Sequence, residues 1–95
     1  MSLESIWNYQ ESLVHDHIRT AADRYPAVAA NDNLLADVAC IALNSLRPRY
    51  VRFSVDLHFF MTDAQRDENA VAVKRAIDEA FQQVQRNLST RPGKA

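Results

Sequence analysis

Three arginines, Arg47, Arg49 and Arg52, fall within six residues, and no acidic residue separates Asp37 from Asp56. This is the one local positive segment of a chain that sets eleven Lys and Arg against twelve Asp and Glu, for a net charge of −1. A guanidinium presents a planar fork of donors that matches phosphate oxygens and can also lie flat on an aromatic base. Tyr50 stands inside the cluster as a stacking surface. The residues alone leave two readings open: a site for a phosphorylated, aromatic ligand, or a solvated charged corner.

A second polar set sits near the N-terminus. Asn8 and Glu11 lie one helical turn apart. A carboxylate accepts hydrogen bonds from the N1 and N2 groups of guanine, and an amide reads either a donor or an acceptor. The competing reading is a polar helix face, because Glu11 with His15 and His15 with Arg19 are both i,i+4 pairs. His15, His17 and His58 do not have the i,i+4 spacing of a helical metal pair, so no metal site is expected. Cys40 is alone, which excludes a disulfide within the chain and a cysteine zinc site. On an apolar helix it is expected to be a small buried hydrophobe.

Several enzyme classes fail on glycine. Among 95 residues there is one, Gly93, where ordinary usage is about 7 %. No phosphate loop, dinucleotide fingerprint or G-x-S-x-G nucleophile elbow can be built. The composition is poor in the loops that usually build catalytic sites; the protein is expected not to be an enzyme and to need no cofactor. The slightly acidic balance disfavours a general nucleic-acid binder. No run approaches the roughly eighteen apolar residues of a membrane span, and no basic-then-apolar leader opens the chain. A cytoplasmic protein is expected.

These side chains must be positioned by few elements. Leu3, Ile6, Leu13, Val14, Ile18, Ala21 and Tyr25 follow helical spacing and predict a helix over 2–25, ended by Pro26. After a connection, Leu34, Leu35, Val38, Ile41, Ala42 and Leu46 predict a helix over 33–46. It is apolar around more than half its circumference, the pattern of a central, well-buried helix. Residues 50–60 change period: Val51, Phe53, Val55, Leu57 and Phe59 alternate with polar residues and predict a strand. Thr62 and Gln65 form a capping box, and Ala70, Val73, Ile77, Ala80, Phe81, Val84 and Leu88 carry the next helix to about residue 88. The whole is one domain over 1–88, with 89–95 as a flexible tail. The predicted fold class is mainly α, a small helical domain with one strand. With no second strand in the chain, that strand is expected to pair with its own copy over 51–59, about a two-fold axis near Val55, in a homodimer.

The run Ala42-Leu43-Asn44-Ser45-Leu46-Arg47-Pro48-Arg49-Tyr50 resembles the A-L-N-x-L-x-P-x-Y signature of the late competence development protein ComFB family. Asn8-Tyr9-Gln10-Glu11-Ser12-Leu13-Val14 is similar to that family's N-x-x-E-x-L-V opening, and the two motifs span residues 8–50. The resemblance implies a small, mainly helical, dimeric cytosolic protein that acts as a receptor for a cyclic dinucleotide, cyclic di-GMP or cyclic di-AMP. It also implies signalling through a downstream protein that the sequence does not identify. Some members bind zinc through a cysteine cluster; this chain has only Cys40. The candidate ligand-binding residues are then Asn8, Glu11, Asn44, Arg47, Arg49, Tyr50 and Arg52. A small dimeric DNA-binding regulator and a ligand-free adaptor stand as the alternatives.

Overall fold

Thr62 and Gln65 close the start of the longest helix. The Thr62 N–H donates to Gln65 Oε1 at 2.9 Å, and the Gln65 N–H donates back to Thr62 Oγ1 at 3.1 Å. Two of the four N–H groups that no helix can satisfy internally are thereby paired. In the computed structural model, which describes residues 1–90, helix α5 runs from this cap over Asp63–Thr90. It exceeds the expected end by two residues; residues 91–95 of the expected tail lie outside the described residues.

Before α5 the chain forms, in order, a 3-10 turn at Leu3–Ser5, strand β1 (Trp7–Asn8), helix α1 (Tyr9–Ala21), a second 3-10 turn at Ala22–Arg24, and helix α2 (Pro26–Ala29). Helix α3 (Asp32–Ser45), strand β2 (Tyr50–Val51) and helix α4 (Asp56–Phe60) follow. Asn31 caps α3, its side chain accepting from the N–H groups of Asn33 and Leu34. Helix α5 packs along both α1 and α3, and α1 also meets α3. Their shared core holds Val14 and Ile18 from α1, Val38 and Ala42 from α3, and Ile77 and Phe81 from α5. Tyr25 closes one end by stacking on Phe81, with ring centroids 4.6 Å apart and planes within 6°. The fold is mainly helical with a two-strand antiparallel sheet.

Four expectations are corrected. The helix expected over 2–25 is interrupted, because Asn8 has extended backbone (φ −89°, ψ 112°) and uses its side chain to cap α1 from Tyr9 onward. The strand expected over 50–60 is two residues long and has a partner in its own chain: Trp7 pairs with Val51 and Asn8 with Tyr50. Beyond Val51 the chain turns, with the Asp56 N–H donating to the Phe53 carbonyl at 2.9 Å and Asp56 Oδ2 accepting from the Phe53 N–H. Val55 has helical backbone (φ −63°, ψ −23°), so no ribbon can pair about it across a two-fold axis. Helix α3 is not the buried centre. Only Val38 and Ala42 are buried on it, because α5 is the element long enough to serve both neighbours. Cys40 is exposed on the outer side of α3.

Candidate functional site

Three successive residues at the β1–α1 junction hold the arginine loop. Asn8 Oδ1 accepts from the Gln10 N–H at 3.2 Å and from the Arg49 N–H at 2.8 Å. The Tyr9 N–H donates to the Arg49 carbonyl at 2.7 Å. Gln10 Nε2 donates to the Arg47 carbonyl at 2.9 Å and to Asn69 Oδ1 at 2.8 Å, while Asn69 Nδ2 donates to Gln10 Oε1 at 3.0 Å. Gln10 and Asn69 are 1 % and 8 % exposed, so the amide pair lies in the dry interior where its bonds are strongest and hardest to lose. The backbone at Arg47 and Arg49 is thus fixed to α1 and, through Asn69, to α5.

The side chains on this fixed loop are free to act. Among the described residues, no carboxylate lies in ion-pair contact with Arg47, Arg49 or Arg52. Arg49 Nε is buried and has no hydrogen-bond partner. A buried donor left unpaired costs about 1–3 kcal/mol, so this atom calls for an acceptor. Arg49 stands between two clefts and lines both. One, of about 380 Å³, is bounded by Arg47 and Arg49 on the loop and by Gln65, Glu68 and Asn69 on α5. The other, of about 220 Å³, lies among Tyr50, Val51, Leu57 and Phe60. Tyr50 is 64 % exposed. The Arg52 guanidinium lies 5.0 Å from the Phe53 ring centroid, a cation–π contact.

Of the sequence candidates, Arg47, Arg49 and Tyr50 line these clefts and Arg52 neighbours them in the chain, while Asn8 anchors the loop beneath them. Glu11 lines a separate apolar groove of about 490 Å³ between α1 and α3, with Val14, Ile18, Leu35 and Ala39. Asn44 is exposed and points its amide at Cys40 Sγ, 3.6 Å away. Among the described residues, no three His, Cys, Asp or Glu side chains gather as a metal site. None of the described helices is long and apolar enough to cross a membrane.

Gln10, Asn69, Gln65 and Glu68 are site residues that the sequence candidates omit. Gln10 and Asn69 had a signal: each occupies a core-stripe position, Gln10 ahead of Val14 and Ile18, Asn69 ahead of Val73 and Ile77. A polar amide on an apolar stripe needs a buried partner, and two such amides can partner each other.

Fold and site together define a small helical domain with an arginine-lined polar cleft between a fixed loop and the start of its longest helix. The chain belongs to the late competence development protein ComFB family, whose sequence model matches residues 7–88. No curated protein and no solved structure matches it.

Proposed function

We propose that this chain is a cytoplasmic, non-enzymatic receptor for a cyclic dinucleotide, cyclic di-GMP or cyclic di-AMP, and that it passes the signal on by changing its contacts with a downstream protein. The observation that carries this reading is Arg49: a guanidinium on a rigid loop, shared by two clefts, with a buried Nε that lacks an acceptor. A cyclic dinucleotide offers phosphates to Arg47 and Arg49 and a purine face to Tyr50. Charge-assisted pairing of guanidinium with phosphate and stacking on an aromatic are the interactions those side chains make best. The family resemblance that implies this ligand class extends over residues 7–88. Calorimetric titration with cyclic di-GMP, cyclic di-AMP and a short DNA duplex tests it. Saturable binding of a dinucleotide supports the receptor; binding of the duplex alone supports the DNA regulator; binding of none leaves the adaptor.

A homodimer belongs to this proposal, with its seat moved from the strand to the groove between α1 and α3. Leu35, Ala36, Ala39 and Leu43 give α3 an apolar outer stripe that α5 does not cover. Gln10 meets the loop after α3, so α1 runs antiparallel to α3. Glu11 and Arg19 both line the groove, eight residues or about 12 Å apart, with His15 midway. A two-fold axis through His15 sets Glu11 of each protomer against Arg19 of its partner, the self-complementarity that an isologous interface requires.

A further inference from the structure

The arginine cleft has a second wall, formed by Gln65, Glu68, Asn69 and Ala72 on one continuous face of α5. Gln65 and Glu68 are three residues apart and therefore neighbours on the helix surface. Their chemistry is set before any ligand arrives. Gln65 Oε1 accepts from the Thr62 N–H in the capping box, which leaves the Gln65 amine as the group free to donate. The Glu68 carboxylate takes part in no hydrogen bond or ion pair among the described residues, so its oxygens are open acceptors. The cleft thus presents donors on the arginine side and, on α5, one donor beside a pair of acceptors.

Resting on the receptor reading above, we propose that Glu68, assisted by Gln65, reads the purine and selects guanine over adenine. Guanine carries two adjacent donors, N1–H and N2–H, next to the acceptor O6. The carboxylate takes both donors, and the Gln65 amine supplies O6. Adenine reverses this order, placing an amino group where O6 stands and an acceptor at N1. It would set donor against the Gln65 amine and lone pair against the Glu68 carboxylate. A site built to hydrogen-bond a group disfavours the analogue that lacks it, because the polar atoms that the ligand covers are then left unpaired. The carboxylate also repels phosphate, which directs the phosphates to Arg47 and Arg49 on the facing wall. The role that sequence spacing offers to Glu11 thus falls to a residue 57 positions later, brought to the arginines by the packing of α5.

The test is calorimetric titration of the full chain and of Glu68→Gln with three probes: cyclic di-GMP, cyclic di-AMP, and the hypoxanthine analogue that lacks the exocyclic N2 amine. Glu68 is exposed and holds nothing in place, so the variant folds, as its melting curve will show. The expected result is a wild-type preference for cyclic di-GMP, about ten- to a hundredfold weaker binding of it by Glu68→Gln, and cyclic di-AMP affinity unchanged or improved, because the lone-pair clash at N1 is gone. Loss of the N2 amine weakens wild-type binding and makes little difference to the variant. Wild-type binding with the guanine-to-adenine ratio unchanged in Glu68→Gln overturns the assignment of Glu68 and leaves the receptor standing. Wild-type preference for cyclic di-AMP does the same. Failure of the wild type to bind any of the three overturns the receptor and this proposal with it.

Discussion

The side-chain amides of Gln10 and Asn69 exchange both of their hydrogen bonds, at 2.8 and 3.0 Å, across 59 residues of sequence. Gln10 has a further donor bond to the Arg47 carbonyl, so one buried glutamine ties α1, α5 and the arginine loop together. Removing one amide strands the other without water. Gln10→Ala is expected to cost about 2–6 kcal/mol in urea unfolding, since the buried Asn69 amide and the part-buried Arg47 carbonyl lose partners at about 1–3 kcal/mol each. Gln10→Leu combined with Asn69→Leu should recover part of that loss. A Gln10→Ala chain with the wild-type midpoint and slope would show that the pair contributes nothing.

The fold uses the backbone of Arg49, and the proposed receptor uses its side chain. Arg49→Ala and Arg49→Lys should both leave the melting temperature close to wild type. Loss of hydrogen bonds to a charged phosphate predicts dinucleotide binding weaker by about ten- to a hundredfold in Arg49→Ala. Lysine should restore only part of it, because an ammonium lacks the planar fork. Full affinity in both variants would remove Arg49 from the ligand site.

Asn8 holds the loop without lining either cleft. Asn8→Ala removes a helix cap, worth about 1 kcal/mol, and frees the Arg49 N–H. Asn8→Asp keeps an acceptor at the same place. Stability measured by denaturant should fall in the first and recover in the second, with dinucleotide affinity following the same order. Affinity that ignores both changes would separate loop geometry from binding.

The groove between α1 and α3 gives a charge-swap test of the dimer. Sedimentation is expected to show a wild-type dimer, with Glu11→Arg and Arg19→Glu each shifting the balance to monomer. The double variant should restore the dimer, because the two charges exchange places across the axis. Ala36→Arg, at an exposed position in the groove, should block association while changing fold stability by no more than about 0.5 kcal/mol. A dimer untouched by all of these substitutions would place the interface elsewhere.

The helices were legible where the signal is local and repeated. The expected 33–46 helix is observed at Asp32–Ser45, and the capping box at Thr62 forms with both of its bonds. The sheet was not legible, because strands of two residues have no period to detect. The alternation from Val51 to Phe59 misled for the converse reason. Period two marks a strand only when one face is covered, and here Val51 is buried while Phe53, Val55 and Phe59 are 56–78 % exposed. Asp56 closes a turn inside the pattern, which hydrophobic periodicity does not register. For the site, the arginines announced themselves by clustering. That Glu68 rather than Glu11 faces them depends on how α5 lies against the loop, a matter of tertiary packing that spacing along one chain does not encode.

The anchors of the arginine loop all come from residues 7–10, about forty positions earlier in the chain, and from Asn69 beyond it. In chain order, residues 7–10 come before the loop that they hold. The loop follows, and the amide that locks Gln10 follows later still. The loop is held by two long-range closures, one to residues 7–10 and one through Asn69, and its order depends on both being made. A chain shortened by its first ten residues would keep α3 and α5 and lose the pocket without touching a single arginine.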